Sequence, residues 1–195
     1  MFFQCYLCAY HLEGRYESFI NPIFSKGIGL KPREYASDEL FDRLGLPGMA
    51  LLEYHDVTIR VRYAETDQMG VVYHSNYLIW FEIGRVELMR ARGFDYRKME
   101  MEDDCYLVVA DVHCRYHHPA RYDELVTVRT RILEARNRTL KFGYELFRQA
   151  DQKLLAVGDT THVCCRRNGR VTRFPGKYKA AFLAIVSALP DRSPQ

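Results

Sequence analysis

In the stretch YAETDQMGVVYHSNY, residues 63–77, Asp67 stands three positions before Gly70 and seven before His74, where an apolar run of helical character begins. A carboxylate there suits two kinds of work. It can be the polar residue of a turn, a role in which Asp is common. Alternatively it can face the start of a helix, whose first N–H groups lack internal partners and together carry about half a positive charge. In that second arrangement the acid acts as nucleophile or general base, and the N–H groups polarise a carbonyl whose oxygen gains negative charge during attack. Gly70 lets the chain pass close to a ligand without a Cβ and turn into the helix. The imidazole of His74 either orients water or the carboxylate, or only caps or pairs at the helix start. Ser75 and Asn76 read as capping residues. Tyr63, Tyr73 and Tyr77 read as packing, with Tyr63 bordering any pocket the motif forms.

The elements that must position these residues have clear periods. Val57, Ile59, Val61 and Tyr63 alternate with Asp56, Thr58, Arg60 and Arg62, the two-residue period of a half-buried strand. After the motif, NYLIWFEIGRVELMRARG places Tyr77, Trp80, Phe81, Gly84 and Leu88 on one helical face. Leu78, Ile79 and Ile83 spread apolar surface around the rest, so the first half of this helix is expected to be buried on nearly all sides. Glu82 then reads as a buried structural carboxylate, paired with Arg85 or with a partner subunit. Gly93 ends the helix. The segments CYLVVADVHCRY, LVTVRTRIL, LKFGYELFRQ and LLAVGDTTHVCCRR read as four strands, RNGR at 167–170 as a tight turn, and GKYKAAFLAIVSAL as a closing amphipathic helix. Short connections between the strands require antiparallel neighbours. An α+β architecture follows: about five antiparallel strands curled around one long helix.

The segments YAETDQMGVVYHSNYLIWFE and HPARYDEL, together with the strand order, resemble the hot-dog acyl-CoA thioesterases related to 4-hydroxybenzoyl-CoA thioesterase and to the thioesterase linked to the bacterial Tol-Pal system. The resemblance covers roughly residues 53–183. It implies hydrolysis of an acyl-CoA thioester, with Asp67 matching the catalytic aspartate and the N–H at the position of His74 matching the group that binds the thioester oxygen. The imidazole of His74 favours the Tol-Pal-associated branch. Tyr63, Gly70, Val71, Val72 and Tyr73 are expected to border the substrate. A thiol with a pKa of about 8.5 leaves without a strong general acid, so one carboxylate and one oxyanion donor suffice, with no cofactor or metal. The resemblance also implies homodimers joined edge to edge, often paired into homotetramers, with the acyl pocket at the dimer interface.

Composition narrows the alternatives. The 195 residues have room for one well-buried domain, expected over 51–187, with an N-terminal extension at 1–50 and a tail at 188–195. Met49 could start translation. In the extension, Ser37 to Gly45 reads as a short capped helix, and Cys5, Cys8 and His11 lack a fourth ligand for zinc. A net charge of +3 with interspersed signs argues against a nucleic-acid partner. No stretch approaches the roughly 18 apolar residues of a membrane-spanning helix. Adjacent Cys164 and Cys165, with Cys105 and Cys114 in strand-like runs, fit reduced thiols and a cytoplasmic setting. A serine hydrolase lacks its G-x-S-x-G, and an acyl-thioester dehydratase needs a different acid–base pair. The competing class is a non-catalytic module that binds acyl-CoA or an acyl carrier. Arg115, His117, His118 and Arg121 either meet coenzyme A phosphates or form a solvated loop face.

Overall fold

A computed structural model describes residues 54–187 of the chain. The expectations placed on residues 1–50 and 188–195, including the Cys5–Cys8–His11 group and the helix at Ser37, lie outside the described residues. The alternating segment forms β1 (His55–Arg60) and a 3-10 turn at Tyr63–Glu65 leads to α1 (Asn76–Ala91). Then follow α2 (Tyr96–Met101), β2 (Tyr106–Tyr116), β3 (Leu125–Ala135), β4 (Thr139–Arg148), β5 (Leu154–Cys165) and α3 (Gly176–Ser187). The sheet is antiparallel throughout, in the order β1-β3-β4-β5-β2. The five strands and the helix between the first two are those expected from the periodicity. The short α2 is an addition, opened by Asp95, whose carboxylate accepts from the N–H groups of Arg97 and Lys98.

α1 lies on one face of the sheet and buries Trp80, Phe81, Leu88 and Met89 against Val128, Ile132, Phe142 and Leu146. Each such side chain contributes about 1.5–3 kcal/mol of transfer free energy. Phe81 stacks on Tyr144 of β4 with ring centroids 4.2 Å apart. The approach is close because position 84 has no side chain: a Cβ there would come within 2.4 Å of Thr130 Oγ1 and 2.9 Å of Val128 Cγ1. Beneath the helix runs a buried polar chain, Tyr144 Oη to Thr160 Oγ1 at 2.8 Å and Thr160 Oγ1 to the His162 ring at 2.8 Å.

The helix is not covered on nearly all sides. Leu78 and Ile79 are 39% and 46% exposed, and Glu82 lies on the same open side rather than in the core. A sheet backs only one stripe of a helix, and these residues fall outside that stripe. Arg85 reaches Tyr96 Oη at 3.3 Å and the His162 ring at 3.5 Å. Cys105, Cys114, Cys164 and Cys165 are all free thiols.

Candidate functional site

The residues between β1 and α1 form a tight hairpin. Thr66 pairs with Val72 across a single bridge, the Asp67 N–H donates to Val71 O at 2.8 Å, and the Gly70 N–H donates to Asp67 O at 2.9 Å. Gly70 has φ +71°, and a Cβ at this position would meet nothing within 4 Å. Its φ is the left-handed turn conformation that glycine adopts without strain, and the space beside it is open. The Asp67 carboxylate is partly exposed, and its Oδ1 accepts the Met69 N–H at 2.8 Å. The turn role is thus filled by one oxygen. Its Oδ2 makes no hydrogen bond among the described residues.

The mouth of α1 is open. Ser75 sits in helical conformation (φ −69°, ψ −22°) and its side chain caps nothing, because a residue already helical cannot swing its oxygen back to the following N–H groups. Asn76 likewise does not cap; its Nδ2 donates to Glu65 O at 2.8 Å. The N–H groups of Asn76 and Tyr77 turn back to Tyr73 O and His74 O, and that of Tyr73 is taken by Glu65 O. Those of His74 and Ser75 form no hydrogen bond among the described residues. Two adjacent donors at the positive end of a 16-residue helix are left for another acceptor.

Beside this mouth lies a hollow of about 250 Å³ lined by Val72, His74, Tyr77 and Tyr116 with the segment 117–119. Of the expected site residues, Val72 and His74 meet there, and the Tyr73 ring lies against the His74 ring at 4.3 Å. Val71 serves the hairpin through its carbonyl. Tyr63 is exposed and meets Tyr122 edge-on. Asp67 does not line the hollow. The histidine–arginine cluster divides: His117 and His118 border the mouth, whereas Arg115 lines a separate hollow with His113 and Asp159.

Two side chains that the sequence reading assigned no role hold the mouth together. Glu65 is 4% exposed and accepts from the Arg62 N–H (2.8 Å), the Arg62 guanidinium (2.8 Å) and Trp80 Nε1 (3.2 Å). Burial opposes its charge, but the hydrogen bonds from Arg62 and Trp80 outweigh it and bring its pKa below the ordinary value. Tyr116, at the end of β2, donates its hydroxyl to His74 O at 3.0 Å. The segment HPARYDEL docks by backbone: the Val72 N–H donates to Ala120 O at 2.9 Å, and the Ala120 N–H donates to Tyr77 Oη at 3.1 Å. Two stretches far apart in sequence thereby frame one site. Glu65 carried a signal, a carboxylate two residues before Asp67; its partner Trp80 is visible only in three dimensions.

The sequence profile of the thioesterase-like superfamily matches residues 61–182. The chain is 41% identical over 106 residues to the Bacillus subtilis protein YneP, an alignment covering 54% of this chain and 75% of that one. It is 34% identical over 126 residues to the acyl-CoA thioesterase YbgC of Haemophilus influenzae, covering 64% of this chain and 90% of that one. Among solved structures, the DHNA-CoA thioesterase of Staphylococcus aureus superposes with a TM-score of 0.65 at 30% identity, over 69% of this chain and 91% of that one.

Proposed function

The chain belongs to the thioesterase-like superfamily, and we propose that this acyl-CoA thioester hydrolase works through Asp67 and the open N–H groups of His74 and Ser75. The thioester oxygen accepts from those N–H groups, which draws electron density from the carbonyl carbon as negative charge develops. Asp67, through its free oxygen, either attacks that carbon or deprotonates the water that does. The carbon–sulfur bond then breaks and coenzyme A leaves as a thiolate; where water attacked, the free acid is released directly, and where Asp67 attacked, water next cleaves the mixed anhydride to free the acid and restore the carboxylate. The observation that carries this reading is the pair of donors at the mouth of α1, unpartnered among the described residues, beside a hollow of about 250 Å³.

Because Asp67 does not line the hollow of a single chain, the reading includes a homodimer, with further pairing into a tetramer, whose second subunit completes the acyl pocket. β2 is an edge strand, and its Val108, Val109 and Val112 are exposed; an unpaired apolar edge favours pairing with a second copy. No helix among the described residues is long and apolar enough to cross a membrane, and the free thiols support a cytoplasmic setting. The competing reading, a module that binds acyl-CoA without turnover, is favoured by the position of Asp67 outside the hollow. A panel of short-chain, long-chain and aromatic acyl-CoAs, assayed for released thiol with a thiol-reactive dye, separates the two. Turnover that Asp67→Asn suppresses supports the hydrolase mechanism; equal turnover in that variant excludes Asp67 from it.

A further inference from the structure

Building on that assignment of the helix mouth to the thioester oxygen, we infer that Tyr116 is a positioning residue for the reaction, holding and polarising the His74–Ser75 peptide so that the Ser75 N–H meets the developing oxyanion. The Tyr116 hydroxyl donates to His74 O at 3.0 Å across 42 residues of sequence. A peptide unit is planar, with its N–H pointing opposite to its C=O. A donor fixed on His74 O therefore fixes the direction of the Ser75 N–H, which belongs to the same peptide unit and makes no hydrogen bond of its own among the described residues. Among the described residues the other donor to that carbonyl is the Tyr77 N–H, at a long 3.4 Å. Tyr116 supplies the shorter and better of the two bonds.

The bond also acts electronically. A carbonyl that accepts a hydrogen bond withdraws electron density from its amide nitrogen, so the N–H on the same unit becomes a stronger donor. This helps most when the acceptor gains charge, that is, in the transition state rather than the ground state. The hydroxyl is well placed for the task. Tyr116 closes a ladder in which β2 pairs with β5 from Tyr106↔Cys165 to Tyr116↔Ala156, so its backbone has little freedom. Its ring meets Tyr77 edge-on with centroids 5.1 Å apart and the His74 ring at 6.5 Å. Burial and the neighbouring Cys114 push the phenol up to about 12, so it stays a donor at any working pH.

Tyr116→Phe removes the hydroxyl and leaves the ring. With the acyl-CoA that the protein hydrolyses fastest, kcat is expected to fall about ten-fold, KM to stay within about two-fold, and the melting temperature to fall by no more than about 5 °C, the loss of one hydrogen bond. The amide 15N and 1H resonances of Ser75 are expected to move upfield in the variant, as its carbonyl partner loses a donor. Wild-type kcat in Tyr116→Phe, or an unmoved Ser75 amide, overturns the role of Tyr116 while the hydrolase assignment stands. A wild-type protein that releases thiol from no acyl-CoA overturns the hydrolase assignment, and the role of Tyr116 with it.

Discussion

The carboxylate of Glu65 receives the indole N–H of Trp80 at 3.2 Å inside the protein, tying the turn before Asp67 to the first buried turn of α1. The carbonyl of the same residue takes the N–H of Tyr73 and the amide of Asn76, so one residue holds both sides of the helix mouth. Glu65→Gln keeps an acceptor for Trp80 and the Arg62 guanidinium, which share Oε1, but turns an amide toward the Arg62 backbone N–H that Oε2 now accepts. It should cost about 1–3 kcal/mol by chemical denaturation. The pKa of Glu65 is lowered in the folded state, so its contribution is present above the ordinary carboxylate value of 4.5 and is lost as pH falls below it. The Gln variant should lack that acid-dependent loss.

Asp67→Asn is unusually clean at this site. The Asn side-chain oxygen can still accept the Met69 N–H that Asp67 Oδ1 now holds at 2.8 Å, so the hairpin survives while the charge disappears. Stability should change by no more than about 0.5 kcal/mol, whereas kcat should fall by about 10²–10⁴-fold. A stable variant with full activity would show that the carboxylate serves the turn alone.

How much of this was legible beforehand depended on the range of the interaction. Alternation in β1 and in the runs that became β2 to β5 exposes strands directly, since a half-buried strand must repeat every two residues. The apolar run from Tyr77 gave the helix, but apolar content does not say which side is covered, and Leu78, Ile79 and Glu82 lie open. Asp95 could have signalled α2 by its capping position. Local readings failed where a residue answers to distant partners: Ser75 caps nothing because its backbone is already helical, and Tyr116 finds His74 only because the β2–β5 register delivers it there.

The open stripe on α1 and the β2 edge, which no strand among the described residues pairs, predict self-association. Val109 is 49% exposed and Val112 37% on that edge. Sedimentation velocity should give a dimer or tetramer for the full chain. Lys at both positions places like charges face to face across a pairing edge and should yield monomers with little thiol release. Monomers already in the wild type, with full activity, would refute a site completed by a second subunit.

Acid stability should report His162. Its ring is buried between Thr160 and the Arg85 guanidinium; burial first, and the charge of Arg85 second, lower its pKa from 6.5 to about 3. Above pH 6.5 the ring is neutral in both states and contributes no pH dependence. Between pH 6.5 and about 3 the unfolded chain takes up a proton that the folded chain refuses, so stability falls as the solution is acidified, by up to about 1.4 kcal/mol per pH unit. Below pH 3 both states carry the proton and the loss ends. The Glu65 contribution begins to fade only below 4.5, so between pH 6.5 and 5 His162 acts apart from it. His162→Gln retains polar atoms toward Thr160 and Arg85 but cannot titrate. Denaturant midpoints measured at half-unit steps across that interval should slope downward with acid in the wild type and be flatter in the variant. Parallel slopes in the two proteins would mean that the ring takes up its proton while folded.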